Sequence, residues 1–219
     1  MPETCEFISL NGPDNTGKTT QLRQLAGRWD GFQVLGAIHE HDPAPWKKAA
    51  VHDYARWWFE WSTTVELTSL LAIGNAKRAE ARKPGRTGLL DRGLPMLMAV
   101  AAATCVVKEG LSGREALWTV REIAGPIPAP SETAVLLLPS LDPERSYATT
   151  SAREGRPWTG IYPRYQKVLH EILLRQAEEG AYDLVVDCEH LSIADVHERI
   201  VEGIGGQLAA EASGEGELR

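Results

Sequence analysis

The sequence predicts an α/β domain, a five-stranded parallel sheet with helices on both faces. Three observations carry this expectation. Short apolar segments recur five times along the 219 residues. The stretches between them space their apolar residues at helical intervals. A glycine-rich run, LNGPDNTGKTTQ (10–21), stands between the first apolar segment and the first helical stretch. Strands that alternate with helices build parallel sheets covered on both sides.

EFISL (6–10) reads as the first strand and ends at Asn11-Gly12. From Lys18 a helix follows, with Leu22, Leu25 and Trp29 on one face. FQVLGAI (32–38) reads as the second strand. Pro43 and Pro45 break the chain before a long helical region over about 46–82, kinked near Ser62. TGLLD (87–91) is the third strand, and 95–107 an apolar helix with Pro95 at its start, where a missing N–H costs nothing. A helix over 112–124 follows, then GPIPAP, then the apolar strand ETAVLLLP (132–139). A helix starts at Asp142 and runs into an arginine-containing segment. YPRYQKVLHEILLRQAEEG is a helix closing at Gly180, YDLVVD (182–187) the fifth strand, and 192–204 a helix with Ser192 as its N-cap. The expected organisation is a single domain over 1–205, with a lid at about 146–160 and a flexible tail over 206–219.

The net charge of −7 disfavours a nucleic-acid partner, since phosphate backbones demand clustered Lys and Arg. No apolar run reaches membrane-spanning length, so no membrane partner is expected. MPETCEFISL has no basic segment before an apolar one, so the expectation is a cytoplasmic protein without a signal peptide. The three cysteines, Cys5, Cys105 and Cys188, lie far apart and read as small buried apolar residues.

In open α/β sheets ligands bind at the carboxyl ends of the strands. Residues 12–19 fit the phosphate-binding spacing G-x-x-x-x-G-K-[ST]. Gly12, Pro13, Asp14, Asn15, Thr16, Gly17, Lys18, Thr19 and Thr20 would then wrap a nucleotide's phosphates. Backbone N–H groups point inward, Lys18 supplies a point charge, and the following helix presents its N-terminus. Thr19 and Asp91 are the candidate Mg²⁺ ligands; capping of the next helix is the other role open to Asp91. Arg92 suits a phosphate, or a surface ion pair. Glu40 or Asp42 suits a general base for a hydroxyl acceptor, or plain loop solvation. His39 and His41 lack a third metal partner. Trp57 and Trp61 would share a helical face with Trp58 to the side, either as core or as a stacking platform. Arg145, Arg153 and Arg156 suit a lid that neutralises a moving phosphoryl group, or a solvated basic loop.

FISLNGPDNTGKTTQ resembles the opening of thymidylate kinases, whose loop carries an acidic residue where Asp14 stands. LLDRG, the lid-like SAREGRPWTG and the closing VVDCEHLSIADVHERI are also similar to that family, in order along the chain. The deoxynucleoside kinases share the architecture, and HEHDPAPW resembles their glutamate-then-tryptophan segment. The resemblance implies a P-loop kinase fold using ATP and Mg²⁺, with Lys18, Arg92, Arg153 and Glu40 catalytic and Arg153 and Arg156 on the nucleotide. It implies a nucleoside monophosphate as acceptor, with a nucleoside or other hydroxylated metabolite as the alternative, and leaves a homodimer open. A nucleotide-binding switch protein is the alternative of another class. Three departures bear on the acceptor. Glu40-His41-Asp42-Pro43 replaces the family's Glu-Pro-Gly-Gly. LLAIGNAKRAE lacks the family's aromatic and Asp-Arg, and Gly93 stands where Tyr or His is usual.

Overall fold

The structure, a computed structural model, describes residues 5–49, 51, 53–125, 131–154 and 158–214, with side chains up to residue 205. Five strands form one sheet: β1 (Phe7–Asn11), β2 (Phe32–Val34), β3 (Thr87–Asp91), β4 (Glu132–Leu138) and β5 (Leu184–Asp187). Their order is β2-β3-β1-β4-β5, and every pairing is parallel. Leu10 at the end of β1 lies opposite Asp91 of β3 on one side and Val135 of β4 on the other.

The strand period of two explains the layering. Ile8, Leu10, Val135, Leu137 and Val186 pack under α1 (Lys18–Arg28) and α10 (Ile193–Gly214). Ala134, Leu136 and Leu138 face the other way. They meet α5 (Thr64–Glu80), α6 (Leu94–Glu109), α7 (Gly113–Ala124) and α9 (Tyr162–Glu178). Helix α6 is apolar nearly all round, as a helix packed on several sides must be. Capping boxes start α5 at Thr63 and α7 at Ser112. Asp142 caps α8 (Pro143–Arg153), and the Ser192 hydroxyl accepts from the Asp195 N–H at the head of α10.

Three expectations change. The second strand stops at Val34, and the apolar residues after it lead into α2 (Ile38–His41), which carries Glu40. The long helix over 46–82 is instead α3 (Pro43–Ala49), α4 (Tyr54–Arg56), a π-helical turn (Trp57–Trp61) and α5. Pro43 and Pro45 lie in the first turn of α3, where helix N–H groups have no intrahelical acceptor to lose. Ser62 is extended rather than kinked, because Thr63 caps the next helix. Helix α10 continues to Gly214, past the end expected at 204.

Candidate active site

The loop from Gly12 to Lys18 leaves β1 at the centre of the sheet. Gly12 has φ 134°, and a Cβ there would lie 2.1 Å from the Leu137 carbonyl oxygen, so only glycine fits. Gly17 (φ 87°) and Asn15 (φ 60°) take the left-handed conformation that turns successive N–H groups to one side. Lys18 is buried and donates to the Pro13 carbonyl at 2.6 Å. Burial, helped by the Arg92 charge, lowers its pKa to about 8. Thr16 and Lys18 face inward, while Thr20 is exposed at the head of α1.

The Asp91–Arg92–Gly93 turn stands opposite. Thr19 Oγ1 donates to Asp91 Oδ2 at 2.8 Å, so the two expected metal ligands are brought together. Asp91 Oδ1 is buried, accepts no hydrogen bond among the described residues, and has Arg92 at 3.7 Å. An orphaned carboxylate oxygen beside a threonine hydroxyl is a hard oxygen pair that fits Mg²⁺, which completes its shell with phosphate oxygens and water. No group of three His, Cys, Asp or Glu side chains able to hold a metal occurs among the described residues. Asp91 does not cap α6. The N-cap of α6 is Gly93, whose N–H donates to the Asn11 side chain at 2.8 Å.

Arg92 adopts φ 67°, strained for a residue with a side chain. Its guanidinium donates to Asp14 at 2.6 Å, and the Tyr162 hydroxyl donates to the other Asp14 oxygen at 3.0 Å. Burial pushes the Asp14 pKa up, but Arg92, Lys18 and Tyr162 outweigh it and leave it below the usual value. Burial lowers the Arg92 pKa, and Asp14 and Asp91 reverse this to a net rise. Arg153 at the end of α8 donates to the Asn15 carbonyl at 3.1 Å, and Asn15 donates to Glu154 at 2.8 Å. The arginine-bearing helix therefore touches the loop after β1. Arg145 pairs with Glu189 instead, at 3.2 Å, and Arg156 lies outside the described residues.

Two cavities meet at this turn. One, of about 450 Å³, is lined by Asp14, Asn15 and Gly17 to Thr20 of the loop, with Asp91, Arg92, Glu154 and Tyr162. The other, of about 850 Å³, takes in Glu40 and His39, then an apolar wall that includes Trp46, Trp58, Phe59, Leu97, Val100 and Leu169. Glu40 lies on this wall with its carboxylate over Gly36, and it has no ion pair or side-chain hydrogen bond among the described residues. Asp42 pairs with Lys77 at 2.8 Å and does not line the cavity. Of the three tryptophans, Trp58 lines the cavity, Trp57 is half-buried behind it and Trp61 is 51% exposed.

Arg78 was not expected. It is fully buried and donates to the carbonyls of Asp91 (3.1 Å) and Arg92 (2.6 Å) and to Asn75 (2.7 Å). It thus holds the strained turn that carries the metal and phosphate candidates. The signal was present: Leu67, Leu71, Asn75 and Arg78 recur on one face of α5, and a charge on an apolar face is informative. Tyr162 was also missed, because its partner Asp14 lies 148 residues away.

The solved structure of thymidylate kinase from Candida albicans superposes on this chain with a TM-score of 0.58. The match covers 93% of this chain and 92% of that one, at 15% identity. The chain has the thymidylate kinase-like fold. The likeness at that identity concerns the fold alone: a five-stranded parallel sheet with helices on both faces. No protein-family model matches the chain, and no curated protein matches it. In the thymidylate kinase-like fold of this chain the loop after β1 and the turn after β3 share the rim of the sheet. No described helix is long and apolar enough to cross a membrane.

Proposed function

We propose that the protein is an ATP- and Mg²⁺-dependent phosphotransferase that acts on a small molecule. One observation carries the reading: Asp14, Thr19, Asp91, Arg92 and Tyr162 line both cavities, so a donor and an acceptor would meet at one turn. Lys18 and the loop N–H groups hold the donor phosphates, with Arg153 approaching from α8. Thr19 and Asp91 hold the metal, whose chemistry is to neutralise the phosphate oxygens. Arg92 balances the charge of the phosphoryl group as it moves. The acceptor occupies the larger cavity, with a nucleoside monophosphate and a hydroxyl-bearing nucleoside as the classes suggested by the likeness in sequence. The proposed setting is the cytoplasm, where ATP and Mg²⁺ are supplied together.

The test is Lys18→Ala, assayed for ADP release against a panel of acceptors. Loss of one preorganised charge typically costs ~10²–10³ in rate. The same loss is expected here, with far-ultraviolet circular dichroism unchanged. A folded variant that turns over at the parent rate rejects the donor-site assignment.

A further inference from the structure

Resting on the phosphotransferase reading, we infer that Glu132 is a positioning residue of that site, holding the Asp91–Arg92–Gly93 turn so that Asp91 and Arg92 stand where metal and phosphate need them. The turn is strained. Arg92 sits at φ 67°, which a residue with a Cβ leaves unless its surroundings over-determine it. The backbone hydrogen bonds of the turn show what over-determines it. The Arg92 N–H donates to the Leu10 carbonyl at 3.0 Å, backbone to backbone. Side chains meet the groups around it. Arg78 donates to the carbonyls of Asp91 and Arg92, at 3.1 and 2.6 Å. Asn11 accepts from the Gly93 N–H at 2.8 Å. The Glu132 carboxylate accepts from the Leu94 N–H, the next along the chain.

Glu132 opens β4 and lies opposite Phe7 of β1 in the sheet. Its carboxylate nevertheless accepts from the hydroxyl of Ser9, two residues further along β1. Ser9 is fully buried, and its hydroxyl also accepts from the Asn11 amide at 2.8 Å. Asn11 and Glu132 thus belong to one network, and both end on N–H groups of the turn. Space points the same way. A Cβ at Gly93 would lie 1.8 Å from a Glu132 carboxylate oxygen and 2.4 Å from Ser9 Oγ. Gly93 has φ −82°, which any residue adopts, so what this glycine supplies is room. The Glu132 carboxylate fills it.

Charge adds a second link. Arg78 is fully buried, makes no ion pair among the described residues and leaves its Nε unpartnered. Burial lowers its pKa, and Glu132, more than Asp91, works against this. Burial likewise pushes the Glu132 pKa up, against the Ser9 and Leu94 bonds and the Arg78 charge. Removing Glu132 therefore frees one N–H of the turn and also weakens the cation that grips its carbonyls. Paired polar groups in a low-dielectric interior rigidify what they touch. Glu132 lines neither cavity, so it touches no ligand there and acts through the turn.

The experiment uses the full chain. ATP affinity is measured by isothermal titration across a Mg²⁺ series, and again in EDTA, for the parent, Glu132→Ala, Glu132→Gln and Val120→Ala. Val120 is fully buried in α7, and its truncation controls for lost stability. Groups that orient a metal's ligands typically carry ~10–100-fold in its affinity, so Glu132→Ala should raise the half-saturating Mg²⁺ about tenfold or more. Its ATP affinity in EDTA should stay within about threefold of the parent, since Lys18 and the loop N–H groups are untouched. Glu132→Gln keeps an acceptor for Leu94 but loses the charge facing Arg78, and should raise the midpoint at least about threefold. Val120→Ala should unfold at a lower temperature with its Mg²⁺ midpoint unmoved. A crystal structure of Glu132→Ala should show Arg92 away from φ 67° and Asp91 out of reach of the Thr19 hydroxyl. An unchanged midpoint in both Glu132 variants, a shift matched by Val120→Ala, an equal loss in EDTA or an unmoved turn overturns the inference and leaves the phosphotransferase reading standing. Where Glu132→Ala fails to fold, the midpoint of Glu132→Gln decides. Failure of the parent protein to bind MgATP overturns both.

Discussion

Arg78→Met removes the clamp on the Asp91–Arg92 turn and keeps a side chain of similar length. Three hydrogen bonds go, two of them to carbonyls of a turn in which Arg92 sits at φ 67°. A buried acceptor left without its donor costs ~1–3 kcal/mol, so the two carbonyls alone account for ~2–6 kcal/mol. Relief of the guanidinium's burial, which lowers the Arg78 pKa to about 10, offsets part of this. A net loss of about 3 kcal/mol is expected, a fall in Tm of ~6–12 °C for a chain of this size. The turn then relaxes towards negative φ and takes Asp91 away from Thr19. Half-saturating Mg²⁺ for nucleotide binding should therefore rise about tenfold or more, beyond anything the stability loss alone produces. Arg78→Lys should rescue little, since one ammonium cannot span both carbonyls. Calorimetric unfolding together with Mg²⁺ titrations of ATP binding checks this. A variant within about 2 °C of the parent, with the same Mg²⁺ midpoint, would refute the positioning role.

Three further outcomes follow from single residues. Lys18, with a pKa of about 8, should bind ATP best below that pH; affinity should fall as pH rises through it, and isothermal titration between pH 7 and 9.5 would expose a flat profile as the contrary result. His170 is buried, both ring nitrogens lack partners among the described residues, and burial lowers its pKa to about 4 from 6.5. The unfolded chain thus takes up its proton first, so up to ~3 kcal/mol of stability is lost as pH falls from about 6.5 to 4. His170→Phe should flatten that slope in denaturant titrations, and an unchanged slope would count against it. Asp91→Asn should raise the Mg²⁺ needed for half-maximal turnover about tenfold, because an amide is a poorer ligand for a hard cation; an unchanged Mg²⁺ titration would return Asp91 to a structural role.

What was legible in the sequence was local. The strand–loop–helix placement of the segment from Gly12 to Thr19 could be read because its glycines and the helix after them are consecutive in the chain. β4 could be read because five of its seven residues, AVLLL (134–138), form an unbroken apolar run, as in a strand covered on both faces. The second strand was overextended because periodicity cannot separate a buried strand from a buried approach to a helix. Leu35 is buried against Phe7 and Leu90, and its N–H still bonds Leu89, so it behaves as strand in all but the pairing that would follow. The rim contacts were illegible for another reason. Arg78 with Asp91, Tyr162 with Asp14, and Arg153 with Asn15 are all made by the topology, between residues that no short window contains.

The aromatic wall shows why a helical wheel misassigned the tryptophans. On a regular helix Trp57 and Trp61 stand above one another and Trp58 is turned about 100° aside. The chain instead closes this segment with a bond from the Ser62 N–H to the Trp57 carbonyl at 2.8 Å, five residues back. That π-helical turn inserts one residue and unwinds the spiral. Trp58 then reaches Thr104 of α6 and lies beside Trp46, while Trp61 is left half exposed. The cavity wall is therefore set by a local irregularity, fixed at one end by the Asp53 cap of α4 and at the other by the Thr63 capping box. A regular α-helix over the same residues would carry Trp58 off the Thr104 hydroxyl and open the wall beside Trp46. The aromatic cavity of this fold thus depends on how one turn is wound, whereas the glycine-rich loop depends on residues that adjoin in sequence.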